Sequence, residues 1–295
     1  MTRQASRPAV YASPCRAARG FTLIELVVVI VLTGILAGVV AMFLARPMQG
    51  YLDAVARAEL TDLADGALRR VGRDLRLALP NSVRVDASGG FLEFIATKAG
   101  ARYRGDAGAT GGNPLVFAGP DASFDLLTDP LSFASGDEIV VFNLGIPGAD
   151  AYEGNTSATH VRRAYDFAAG GAGPTATVRI VSGAALPFDS PGRRVHVVSG
   201  VDQAVTYACR NAGLDANNTG TGTLTRHWRY GFNPAQQTAG LGSNAALLAD
   251  RVSSCVFGYT PGATARSGVV SMTLTVSARG ENVRLYHETH VSNIP

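Results

Sequence analysis

Between Phe21 and Leu44 the chain reads FTLIELVVVIVLTGILAGVVAMFL, about 24 residues with one ionisable side chain, Glu25. At about 1.5 Å per helical residue the run would extend about 36 Å, enough to cross a hydrocarbon core of roughly 30 Å. No later segment is comparably apolar, so the sequence predicts a single N-terminal span with everything after it on one side. The twenty residues before it hold Arg3, Arg7, Arg16 and Arg19 and no acid. Basic residues that precede a span stay in the cytoplasm, which puts residues 1–20 there and residues 45–295 beyond the inner membrane. An ordinary secretory signal has an apolar core of roughly 7–15 residues that ends at a small-residue cleavage site. Here the run is longer, and the break Ala18-Arg19-Gly20 comes before it. A plain signal anchor is the other simple reading. Neither explains a carboxylate five residues into the span.

An acid inside a spanning helix costs about 3 kcal/mol even on permissive insertion scales, and an intramembrane ionisable group implies a partner. The alternative is that Glu25 snorkels to the interface from the first helical turns. The residues around it carry a resemblance. Arg19-Gly20-Phe21-Thr22-Leu23-Ile24-Glu25-Leu26 resembles the class III signal of type IV pilins and type II secretion pseudopilins. The shared features are a basic leader, Gly before the cut, Phe after it, Glu at the fifth mature position and an unbroken apolar run. The resemblance implies cleavage by prepilin peptidase between Gly20 and Phe21, then methylation of the new Phe21 amine. It also implies that Glu25 pairs with the N-terminal amine of a neighbouring subunit as an assembly residue. A buried charge pair of this kind would select an axial register, because stranding either partner is costly. The partners implied are the peptidase, other minor and major pilins met through the N-terminal helix, the inner-membrane assembly platform and the membrane itself. Gly34 and Gly38 form a Gly-x-x-x-Gly pair that would let helices approach closely.

From about Met48 to Leu79 a second helical pattern follows. Leu52, Val55, Ala56, Leu60, Leu63, Ala67, Leu68, Val71, Leu75 and Leu79 form one apolar stripe, with charges on the other face. Pro47 removes a backbone donor and predicts a kink or loosening. Pro80-Asn81 predicts the helix end. From Ser82 the pattern changes to short β runs between Gly, Pro and Asn breaks. Ser82–Val85 and Phe91–Thr97 read as one hairpin, and Val269–Ala278 with Val283–Val291 as another. Residues 98–136 and 145–158 lack periodicity and are predicted to be surface loops. The fold class is α+β: a long N-terminal helix, half transmembrane and half amphipathic, packed on an antiparallel sheet. The resemblance to pilins implies the same architecture. The expected division is a cleaved leader at 1–20, a membrane and fibre-core helix at 21–45, an amphipathic stalk at 46–80 and a periplasmic β-rich domain at 81–295.

Removing the leader leaves about 275 residues, which is large for a major pilin. The sequence is most similar to large minor pilins and pseudopilins. Ala78–Val85, the Cys255 region and the ending His290–Pro295 resemble the MshO-type minor pilin of the mannose-sensitive haemagglutinin (MSHA) pilus set. This implies a low-copy subunit of pilus initiation or the pilus tip. The J-type secretion pseudopilin, a tip adhesin binding through the loops at 98–136 and 145–158, and a membrane-anchored enzyme sharing only the signal are the alternatives.

Cys15 lies in the leader, which leaves Cys209 and Cys255 in an oxidising compartment. A Cys209–Cys255 disulfide is the leading expectation, with two separate buried thiols as the alternative. His287 and His290, three residues apart on a strand, would face opposite ways, and Tyr286-His-Glu-Thr-His290 is not a zinc-helix motif. Asp215, Asn217 and Thr219 are spaced like the start of a calcium loop, but Arg226 stands where a bidentate Glu is needed. A polar turn is the competing reading, and no other cofactor is expected. The chain has no phosphate-binding Gly-x-x-x-x-Gly-Lys and no Gly-x-Ser-x-Gly elbow, so no catalytic residues are assigned and a non-enzymatic role is expected. The formal charge of +3 invites a nucleic-acid reading. Losing the leader's four arginines from 26 basic residues leaves 22 against 23 acids, a formal −1, and that reading loses its basis.

Overall fold

The computed structural model describes residues 20–109, 111–181, 183–262 and 267–295. The expected leader lies outside them except for Gly20. The chain divides into two compact units, Met1–Asp53 and Ala54–Pro295.

The helix α1 is assigned over Leu23–Leu75 and continues through Pro47. In the first unit its apolar stretch, Leu23–Phe43, is long enough to cross a membrane, and its large apolar side chains are exposed all round. Such a surface is stable only in an apolar solvent or against other helices.

In the second unit the rest of α1 is amphipathic. Ala56, Leu60, Ala64, Ala67, Leu68, Val71 and Leu75 are buried, as the three-to-four-residue spacing predicts. Val55, expected in the stripe, is exposed. The helix ends at Leu75, one turn before the expected Leu79. The Leu77 and Ala78 amides turn back to the Asp74 and Leu75 carbonyls, and the Leu79 amide donates to Ile95 O at 2.8 Å. Leu79 is buried, but beyond the helix, in a separate cluster with Ile95 and Val140.

Among the described residues fifteen strands follow: β1 (Arg84–Val85), β2 (Phe91–Ile95), β3 (Thr97–Arg102), β4 (Ser123–Asp125), β5 (Leu131–Phe133), β6 (Glu138–Val141) and β7 (Arg162–Ala164). After the short helix α2 (Phe167–Gly170) come β8 (Gly173–Thr175), β9 (Thr177–Arg179), β10 (Arg194–Val198), β11 (Ala204–Arg210) and β12 (Gly222–Trp228). The last three are long: β13 (Ala245–Thr260), β14 (Ser267–Ala278) and β15 (Glu281–Ser292). The main sheet is antiparallel throughout, in the order β1-β2-β11-β12-β13-β14-β15. Its inner face supplies Leu92, Phe94, Tyr207, Leu224, Val270, Met272, Leu274 and Val276 to the cluster that receives the α1 stripe. The β14–β15 hairpin turns on Arg279-Gly280, two residues with positive φ (55° and 83°), the backbone a tight right-twisted hairpin requires.

The second sheet, β3-β10-β6-β7, corrects the expectation of loops at 98–136. That segment contributes β3 to this sheet and β4 and β5 to two further two-stranded sheets, paired with β9 and β8, and its Tyr103, Leu115, Phe124, Leu126 and Phe133 join a second buried cluster. Phe133 stacks on Tyr165 at 4.2 Å between ring centroids. Strands of three residues are too short to show a period of two, and the aromatic anchors are scattered among glycines. Residues 145–158 form turns, as expected, but Ala149, Ala151 and Tyr152 are buried in a third cluster between the two sheets. The helix α2, capped by the Asp166 side chain on the Ala169 amide, was not expected.

Polar contacts tie the helix exit to both ends of the domain. Asp74 Oδ2 accepts from Tyr207 Oη at 2.7 Å and Arg226 Nε at 2.8 Å, and Oδ1 from Arg70 Nε at 3.1 Å. Burial first, and the Asp74 carboxylate next, push the Tyr207 hydroxyl above its ordinary range. Asn81 Nδ2 donates to the backbone carbonyls of Asn143 and Asn293 at 2.9 and 3.2 Å.

Asp74→Ala strands the Tyr207 hydroxyl and leaves the Arg226 guanidinium only its 3.5 Å pair with Asp202, and it should cost about 2–4 kcal/mol in chemical unfolding of the detergent-solubilised protein. An unchanged midpoint would show that the clasp contributes little. A second prediction concerns pH. Burial, assisted by Arg194, lowers the His196 imidazole from 6.5 to about 4, and its Nε2 has no hydrogen-bond partner among the described residues. Below pH 6.5 the unfolded chain takes up this proton and the folded one does not, so stability should fall with pH towards 4, by up to about 3 kcal/mol. Unfolding midpoints between pH 7 and 4 should show a shallower decline for His196→Gln than for the wild type.

Candidate processing and assembly site

The residues expected to be processed lie at the start of α1. Gly20, Phe21 and Thr22 are non-helical and exposed, Phe21 by 75%. The expected scissile bond, Gly20–Phe21, is therefore in open backbone, the form a peptidase can bind. Helix begins at Leu23 because Thr22 caps it. Thr22 Oγ1 accepts from the Glu25 amide at 3.3 Å, and Thr22 O accepts from the Leu26 amide at 3.1 Å. Thr22-Leu-Ile-Glu25 is thus a capping sequence with the acid at its third helical position. The cap role of Thr22 was not singled out in the sequence, although a Thr three residues before a Glu and an apolar run is its signature.

The amide of Glu25 is occupied by the cap. Its carboxylate has no hydrogen bond or ion pair among the described residues. A carboxylate in the first turn is favoured by the helix dipole, by roughly 0.3–1 kcal/mol. That is small beside the few kcal/mol that an unpaired carboxylate costs in an apolar medium. Gly34 and Gly38 lie one turn apart on one face, and a Cβ added at either would meet nothing within 4 Å. Thr33, beside them, turns its hydroxyl onto the Val29 carbonyl at 2.5 Å, so its polar group is satisfied within the helix.

The other singled-out residues lie in the second unit. Cys209 on β11 and Cys255 on β13 are joined as a disulfide, with 6.1 Å between Cα atoms and 46 residues of separation. The β1–β2 turn anchors the same place: the Cys209 amide donates to Gly90 O at 2.9 Å, and the Phe257 amide to Gly89 O at 2.8 Å. Gly89 has φ +70°, and a Cβ there would press on Phe257 O at 3.0 Å, so the turn requires glycine.

Asp215 Oδ1 accepts from the Asn217 and Thr219 amides, both at 2.8 Å, and Asn218 has φ 56°. This is a self-bonded polar turn in which one Asp215 oxygen is already committed to backbone. No group of three or more His, Cys, Asp or Glu side chains suited to a metal occurs among the described residues. On β15, His287 lies towards α1 near Gly72, and His290 is exposed on the other face.

Residues 15–41 match the family described as the prokaryotic N-terminal methylation motif. The match supports a type IV pilin-like prepilin signal and, with it, a pilin or pseudopilin substrate of prepilin peptidase. Comparison with curated proteins and with solved structures returns no match.

Closing a loop of this length should stabilise by about 4 kcal/mol through loop-closure entropy. Reduction, or the pair Cys209→Ser with Cys255→Ser, should lower the unfolding midpoint without loss of the β-sheet circular-dichroism signal. Equal midpoints with and without reductant would count against a disulfide in the native protein.

Proposed function

We propose that the chain is a non-enzymatic minor pilin. It would be inserted in the inner membrane with residues 1–20 cytoplasmic and the β domain periplasmic, and be cut between Gly20 and Phe21. It would then be methylated on Phe21 and take part in the initiation complex or the tip of an MSHA-like type IV pilus. The observation that carries this reading is the capped start of α1: an open Gly20–Phe21 bond stands beside a Glu25 carboxylate with no partner among the described residues. After cleavage the α-ammonium of one subunit would meet Glu25 of its neighbour. That neutralises both charges in the fibre core and fixes the axial step between subunits. The apolar helix supplies adhesion without register, and Gly34 and Gly38 give neighbouring helices room.

Secretion pseudopilins use the same segment in the same way, so the choice of fibre rests on the neighbouring genes. Mass spectrometry of the mature protein should find N-methylated Phe21 as its first residue; an intact leader would sink the processing step. Glu25→Val should leave insertion intact and reduce incorporation into fibres by tenfold or more, in line with about 1.4 kcal/mol per factor of ten. Wild-type incorporation of that variant would remove Glu25 from assembly.

A further inference from the structure

Two asparagines in the chain begin the triplet Asn-x-Ser/Thr, as Asn155-Thr156-Ser157 and Asn217-Asn218-Thr219. This triplet is the acceptor of N-linked glycosylation. Each has an acid two residues before its asparagine, Glu153 and Asp215. Bacterial oligosaccharyltransferases read this longer acceptor, to which the acid adds a charged contact. Acids are 23 of the 295 residues, so chance would place one before both asparagines only about once in 160. That sets the pair apart from an incidental match of the short triplet.

The structure separates the two. Asn155 is half-buried, and its Nδ2 donates to Glu138 Oε1 at 3.2 Å. Both Glu153 carboxylate oxygens accept from the Gly148 amide, at 3.1 and 3.2 Å. Amide and acid are thus committed within the fold. Asn217 stands at the tip of the β11–β12 loop, where Asp215, Ala216 and Asn218 are exposed with it. Among the described residues its carboxamide, the Thr219 hydroxyl and Asp215 Oδ2 make no hydrogen bond. The loop is pinned at its root instead. The Gly220 amide donates to Ser277 O at 2.8 Å and the Thr221 amide to Gly213 O at 3.0 Å. A Cβ at Gly220 would stand 2.0 Å from Arg251 O, so the root cannot be filled out. Asp215 Oδ1, bonded to the Asn217 and Thr219 amides, holds the tip as a turn clear of the sheet. Such a tip can enter an enzyme's cleft while the strands behind it stay folded.

We propose that Asn217 is an N-glycosylation site and that Asn155 is not. The donor class is an oligosaccharide carried on a lipid diphosphate. Asn217 Nδ2 forms the new bond to C1 of the first sugar, and the bond from C1 to the diphosphate oxygen breaks. The lipid diphosphate leaves, and one amide proton passes to solvent. The site rests on the proposed function in one respect: the donor's sugar and the β domain must lie on the same, periplasmic side.

The test is glycopeptide mass spectrometry of the full-length protein purified from the membranes of its own cells. Trypsin cuts after Arg210 and Arg226, so residues 211–226 form one peptide with a single acceptor triplet. That peptide should carry an oligosaccharide on Asn217, and the peptide with Asn155 should be bare. Asn217→Gln and Thr219→Ala should abolish the modification, and Thr219→Ser should keep it. Asp215→Asn retains the triplet and an oxygen for the turn but removes the charge, and it should lower occupancy about five-fold. A bare 211–226 peptide, sugar that survives Asn217→Gln, or sugar on Asn155 would overturn the proposal. Protease digestion of spheroplasts reports separately on the side of the β domain. A digested domain with bare Asn217 would count against the site alone, and a protected domain against the proposed function as well.

Discussion

Burial of one helical stripe, Ala56 to Leu75, against the inner face of the seven-stranded sheet organises the β domain. The sheet offers Phe94, Tyr207, Leu224, Met272, Leu274 and Val276 to the same cluster, and these would face water if the helix were withdrawn. Each buried Leu or Val contributes roughly 1.5–3 kcal/mol. The polar contacts at the helix exit add direction to this apolar attraction. Asp74, held by Tyr207 and Arg226, fixes how far the helix slides along the strands, which burial alone does not.

The helix, the main antiparallel sheet and both hairpins are legible in the sequence because their signals are long. The stripe repeats over five turns, and β14 and β15 alternate for twelve residues each. The second sheet is legible in part: Glu138–Leu144, Thr159–Tyr165 and Arg194–Ser199 show in the sequence as short β runs and contain β6, β7 and β10, whereas most of β3 lies in a segment that reads as loop. The separate β4–β9 and β5–β8 pairs leave less of a mark, because their strands are three residues each, and the isolated aromatics Tyr103, Phe124, Phe133 and Tyr165 find one another through tertiary contacts. At the N-terminus the order of legibility is reversed. The residues proposed for processing and assembly are named from their pattern alone, whereas the cap that Thr22 provides emerged from the hydrogen bonds. Single-residue caps leave a weak mark unless they are sought at the edge of a known helix.

Charge in this molecule is informative by position more than by sum. The formal +3 of the full chain is owed to the four arginines before Gly20, and residues 21–295 are close to neutral. That near-neutral sum conceals an acidic stretch and a basic stretch on one helix, and a lone carboxylate at the start of another environment. A helix that is apolar all round to Phe43 and amphipathic from Ala56 must satisfy two solvents with one backbone. The sequence does so by changing the periodicity of its side chains and leaving the helical backbone unchanged.

The contacts of Asn81 bear on how the domain is made. Its side chain bonds to the carbonyl of Asn293, two residues from the chain end, and Ser190 Oγ bonds to the carbonyl of Pro295 itself. The helix exit is thus closed by residues more than two hundred positions later in the sequence. A domain closed in this way has many contacts between distant parts of the sequence and folds slowly for its size. A truncation of even a few C-terminal residues would therefore be felt at the helix, more than two hundred positions away.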